Sequence, residues 1–154
     1  MAAKRIKPNT NLKETQNHTA GIPRDAATLN YHSLGKQNAD QEHPCLNLKY
    51  YDFNFECFSE LSQEDLKSFT ALNRKFRDLT WLQIKQQSGK TNKSGLAPTK
   101  IPRNKLPKSP ILDAISEDIE ILELRLSKKA RVFGFRSAAT FFLIFLDSQH
   151  RICP

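Results

Sequence analysis

Apolar residues are scarce in this chain. They make up 38 % of its 154 residues, where globular domains usually carry about 45–50 %. The shortage is concentrated at the start. Residues 1–44 contain no Phe and no Trp, and Tyr31 is their one aromatic. So little apolar surface cannot offset the entropy of ordering, and residues 1–44 read as a disordered extension. All ten Phe and the single Trp81 lie beyond residue 50. Residues 45–154 are therefore expected to hold the core as one domain.

Cysteine is also sparse. Cys45, Cys57 and Cys153 are an odd set at no conventional spacing, which argues against a disulfide framework. With His43 and His150 they have the residue types that suit zinc, but His-x-Cys and His-x-x-Cys are not a matched pair of knuckles, and no metal or other cofactor is expected. The most apolar stretch, Ala138 to Leu146, is far short of the ~20 residues of a membrane helix. Residues Met1 to Glu14 are basic but lack the apolar segment of a secretory signal. The expectation is a soluble cytoplasmic protein with no membrane partner. Gly-x-Gly-x-x-Gly, P-loop, His-Glu-x-x-His and Gly-x-Ser-x-Gly motifs are all missing.

What the chain has is positive charge. The net charge is +8, and most of the excess lies in residues 45–110, with 12 basic and 6 acidic side chains. From Lys85 to Lys108 there are seven Lys or Arg and no Asp or Glu. Such a field attracts phosphates or an acidic partner. The same stretch, residues 85–110, carries the proline and glycine of a long loop without regular structure.

Periodicity outlines the elements. Cys45 to Phe55 alternates, with Leu46, Leu48 and Tyr50 on one face and an irregularity near Tyr51-Asp52, as in a strand. Ser62 opens a helix with Asp65 at the third position, a carboxylate capping box, and Leu66, Phe69, Leu72, Phe76 and Leu79 form its apolar stripe. Thr80 caps a second short helix from Trp81 to about Gln87. Ile111 to Ser116 has room for one helical turn. Leu122, Leu124 and Leu126 then alternate with Glu123 and Arg125. Ser127 to Ala130 reads as a hairpin turn, Arg131 to Arg136 as a second strand, and Thr140 to Leu146 as a third, apolar on both faces and so covered on both sides. Arg151 to Cys153 reads as a short terminal strand or tail. The fold class is α+β: an N-terminal strand, a helical hairpin, then a three-stranded antiparallel meander.

A period of two assigns faces. With Leu122, Leu124 and Leu126 against the helices, Glu123 and Arg125 point away. In the second strand Arg131, Phe133 and Phe135 share one side, and Val132, Gly134 and Arg136 the other. Gly134 suggests a bulge or a close backbone approach. The meander is expected to present Arg125, Arg131 and Arg136 beside an aromatic surface. A guanidinium fork suits phosphate, and the Phe rings could stack bases. A cross-strand pair of Arg125 with Glu123 or Glu120 is the competing reading. His150 is of a residue type that serves as general acid or base.

The order of elements, with Leu122-Glu-Leu-Arg125, Lys128-Lys129-Ala-Arg131-Val-Phe and an apolar strand ending at Asp147 before His150-Arg151, resembles the RelE/ParE superfamily of bacterial toxins. The resemblance covers about residues 45–154 and implies one of two activities. RelE-like members are metal-independent endoribonucleases that cleave mRNA, usually on the ribosome, and are held in check by a cognate antitoxin. ParE-like members inhibit DNA gyrase by binding. Carried over, Arg131 would stabilise transition-state charge and His150 would act as acid–base group. Arg125, Arg136, Lys128, Lys129 and Arg151 would bind RNA phosphates. The chain departs from the family in having Phe133 and Phe135 where a catalytic Tyr is expected. A non-catalytic binding protein, either a gyrase inhibitor or a nucleic-acid-binding accessory protein, is the alternative.

Overall fold

A computed structural model describes residues 39–87 and 95–154; most of the expected disordered extension, residues 1–38, lies outside the described residues. Helix α1 (Gln63–Asp78) starts where the capping chemistry is. Ser62 Oγ accepts the Asp65 N–H at 3.1 Å and donates to Asp65 Oδ2 at 2.6 Å. Glu64 and Asp65 occupy the positive end of the dipole. Leu72 and Phe76 of its stripe are buried, while Leu66 stays 40 % exposed, so the packing starts a turn into the helix. Thr80 caps α2 (Trp81–Gln86) through a reciprocal box with Gln83, and buries Trp81 and Ile84.

Five strands form one mixed sheet: β1 (Cys45–Asn47), β2 (Thr99–Ile101), β3 (Ile121–Arg125), β4 (Arg131–Ser137) and β5 (Thr140–Asp147), in the order β1-β5-β4-β3-β2. β1 runs parallel to β5, and the other neighbours are antiparallel. The architecture is α+β. β5 lies inside the sheet and is covered on both faces, which is why it tolerates an unbroken apolar run. On one face Leu124, Val132, Phe141 and Leu143 pack against Leu72, Phe76, Trp81 and Ile84 of the helices. On the other, Phe133, Phe135 and Phe142 pack against Tyr50, Leu106, Leu112 and Ile115. The latter pair with the short helix α3 (Pro110–Ala114), capped by Ser109 and started by a proline at its first position.

Gly134 meets both expectations for a strand glycine. Phe133 opposes Phe145 but Gly134 opposes Leu143, so Ile144 is an extra residue in β5. Ile144 and Phe145 consequently pack into the same face. A Cβ on Gly134 would lie 2.1 Å from the Phe142 carbonyl oxygen.

Three expectations need correction. β1 stops at Asn47, because Asn47 Oδ1 captures the Lys49 N–H at 2.8 Å and the Tyr51 N–H turns back to Leu48 O at 3.0 Å. Leu48 is left exposed, and the chain rejoins the edge of β5 only where Asp52 N–H donates to the bulged Ile144 carbonyl at 2.8 Å. The basic loop is not without structure: its residues 99–101 are the edge strand β2, paired with β3. Order begins before Cys45, since Ala39–Gln41 forms a 3-10 turn and Glu42 O accepts the Trp81 N–H at 3.0 Å. Of the two readings of Arg151 to Cys153, strand or tail, the structure shows the tail.

Candidate functional site

The strand register puts Arg125 opposite Arg131, and Arg131 opposite Asp147. This row closes one end of β3, β4 and β5. Just beyond it lie the β3–β4 turn, with Lys128 and Lys129, and the turn after β5, with Gln149, His150 and Arg151. The two turns touch, for Lys129 Nζ donates to Gln149 Oε1. Arg125, Lys128, Lys129, Arg131, His150 and Arg151 therefore gather at one end of the sheet. Arg136 does not join them. It is five residues further along β4, about 17 Å at ~3.3 Å per residue, and on the opposite face.

These cations have different surroundings. Lys128 and Lys129 are exposed. Arg151 keeps half of its side chain exposed, its guanidinium 4.6 Å from the Phe55 ring centre and its Nη2 donating to Glu56 Oε2 at 3.1 Å. His150 is half-buried in a left-handed backbone conformation, φ 56°, that turns the chain between Gln149 and Arg151. Arg125 is half-buried, and its N–H donates to Leu96 O at 2.8 Å.

Arg131 is enclosed. Its side chain is 9 % exposed, with Nε 3.2 Å from Glu123 Oε1, outside hydrogen-bond geometry. Its Nη1 donates to Ser127 O at 3.0 Å and Ala130 O at 2.9 Å. This guanidinium holds the β3–β4 turn. Arg136 is equally engaged: Nε donates to Ala138 O at 2.7 Å, Nη1 to Asp40 Oδ1 at 2.6 Å, and its plane lies 4.6 Å from the Trp81 ring centre. Glu123, read from the sequence as a candidate partner for Arg125, lies 3.2 Å from Arg131 Nε.

Two buried carboxylates position the turn after β5, and sequence reasoning missed both as site elements. Asp147, fully buried, accepts the Arg151 N–H on Oδ1 and the Ile152 N–H on Oδ2, each at 2.8 Å. Glu56, 4 % exposed, accepts the Ser148 N–H at 3.0 Å besides the Arg151 side chain. The visible signal was a single Asp closing an apolar strand ahead of a polar turn. Nothing local marked Glu56, which arrives from 92 residues upstream.

The aromatic surface is not where it was expected. Phe133 and Phe135 are fully buried and cannot stack a base. Tyr50 is buried, and Tyr51 donates its hydroxyl to Glu56 O at 2.7 Å. Burial, with Cys57 and Glu56 nearby, pushes the Tyr51 phenol well above its ordinary range, so it stays neutral. The basic loop spends part of its charge internally: Lys85 pairs with Asp40, Lys100 with Glu120, and Arg103 Nη1 donates to Leu112 O. Lys90 and Lys93 lie outside the described residues. Among the described residues no three His, Cys, Asp or Glu side chains form a group that could hold a metal ion. No helix there is long and apolar enough to cross a membrane. Comparison with models of known protein families, with curated proteins and with solved structures finds no match in any of the three.

Proposed function

We propose that this chain is a nucleic-acid-binding protein that grips RNA phosphates with the basic end of its sheet. The observation that carries the reading is the convergence of Lys128, Lys129, His150 and Arg151, drawn from two turns that touch through Lys129 and Gln149. Exposed cations fixed on a rigid sheet end suit a phosphate backbone and release its counterions. The sequence resemblance to the RelE/ParE superfamily, in Leu122 to Arg125 and Lys128 to Phe133, supports an mRNA or ribosomal ligand and a cognate antitoxin as partners. The reading favours binding over catalysis, because Arg131 is committed to Glu123 and to its own turn, and Arg136 to Asp40.

The test is the affinity of the full chain for a labelled RNA, followed by fluorescence anisotropy. Lys128→Ala with Lys129→Ala is expected to weaken binding severalfold. The pair Lys67→Ala with Arg74→Ala, exposed cations on α1, is expected to leave it within twofold. Equal loss in both pairs would reduce the interface to diffuse charge.

A second reading, metal-independent RNA cleavage, has one observation in its favour. His150 is held by its turn between the Lys129 contact and Arg151, where a phosphate on those cations would meet an imidazole. Mapping of RNA ends after expression decides it: new ends that disappear with His150→Ala support cleavage, and an unchanged pattern rejects it.

A further inference from the structure

Among the described residues Phe53 stands out from the other Phe, Tyr and Trp side chains. It is 62 % exposed, more than Leu48 or Leu66, and scattered exposed apolar residues alone would mean little. Its surroundings make it more than that. Asp52, only 4 % exposed, fixes the backbone before it, with its N–H on Ile144 O at 2.8 Å. The Asp52 carboxylate accepts the Asn54 N–H at 2.9 Å, Asn54 Nδ2 at 3.0 Å and the Ser109 hydroxyl. After the turn, Phe55 folds back in, its ring centre 5.8 Å from that of Phe145. The turn is tied down on both sides of Phe53, and this ring alone among its aromatics is left in solvent.

The same turn borders the basic end. Phe55 lies under the Arg151 guanidinium, and Glu56 binds both Arg151 and the Ser148 N–H. Through Phe55 and Glu56 the Phe53 turn thus adjoins the turn that carries His150 and Arg151, which touches the Lys128-Lys129 turn through Gln149. Resting on the reading of that end as a nucleic-acid interface, we propose that Phe53 and Arg151 form a stacking platform for an unpaired base. The ligand class is then single-stranded nucleic acid and not a duplex. In a duplex the base faces are already stacked on one another, and a ring standing out from a turn cannot reach them. An unpaired base offers a free face to a ring, and a guanidinium plane lying on Phe55 offers a second surface. Lys128 and Lys129 take the phosphates that follow.

The test uses the full chain and three labelled oligonucleotides of equal length: unpaired, duplex, and a single strand of abasic sites. The platform predicts that the unpaired strand binds about tenfold more tightly than the abasic one. Phe53→Ala removes that preference, while Phe53→Trp keeps it and has its fluorescence quenched by the unpaired strand only. Circular dichroism checks that both variants are folded. If the three ligands bind alike and Phe53→Ala changes nothing, the platform is overturned while the basic interface stands. If none of them binds, both fall.

Discussion

Arg131 and Arg151 lie at the same end of the sheet and have opposite surroundings. Arg131 faces the covered side, meets Glu123 and two carbonyls, and is spent on structure. Arg151 lies beyond the strand end and keeps half of its surface. Residue type made both plausible phosphate ligands; burial separates them. The same logic applies to the carboxylate that fixes Arg151. Asp147→Asn removes one of two acceptor oxygens from two main-chain N–H groups, and should cost about 2 kcal/mol. Hydrogen exchange checks it, with protection expected to fall at Arg151 and Ile152 before the rest of the chain. Gly134→Ala places a methyl against the Phe142 carbonyl, a backbone atom that cannot swing away. Urea unfolding should show a loss of about 3 kcal/mol, as for an overpacked core.

At the scale of elements, what could be read from sequence was local. α1 and α2 announce themselves by Ser62 and Thr80 and by stripes of period 3.6, and all of that chemistry lies within a few residues. The two faces of β3 and β4 followed from a period of two, and Gly134 marked a close approach. β2 escaped because three residues, Thr99–Ile101, carry no measurable period and owe their strand form to the β3 edge beside them. The start of order escaped for a related reason. Residues 39–44 have no apolar pattern, and Asp40 joins the fold through Lys85 and Arg136. The hydrogen bond from Lys85, then that from Arg136, holds the Asp40 carboxyl below its ordinary range. A carboxylate with a lowered folded pKa contributes stability above its unfolded value, and that contribution is lost as pH falls through the folded value. Thermal melts of the parent and Asp40→Asn should therefore differ by about 1 kcal/mol at neutral pH. The difference should shrink as the pH drops below about 4, the unfolded aspartate range.

For the whole molecule, the question is where a net charge of +8 goes. Ion pairs leave that excess unchanged but tie up particular cations, joining the N-terminal turn to α2 and β4, and β2 to the β3 approach. Exposed cations remain on α1 and in the turns, and the group drawn from two touching turns lies at the end of β3, β4 and β5. A binding role for that end differs from a general cation surface in its salt dependence. The decisive measurement is the affinity for a single-stranded RNA over a series of salt concentrations, for the parent and for the triple variant Lys128→Ala, Lys129→Ala, Arg151→Ala. Each phosphate contact contributes about 0.7 to the slope of log affinity against log salt on a single strand. The interface described above predicts that the triple variant lowers the slope by about 2. An unchanged slope, with the variant folded, would contradict it.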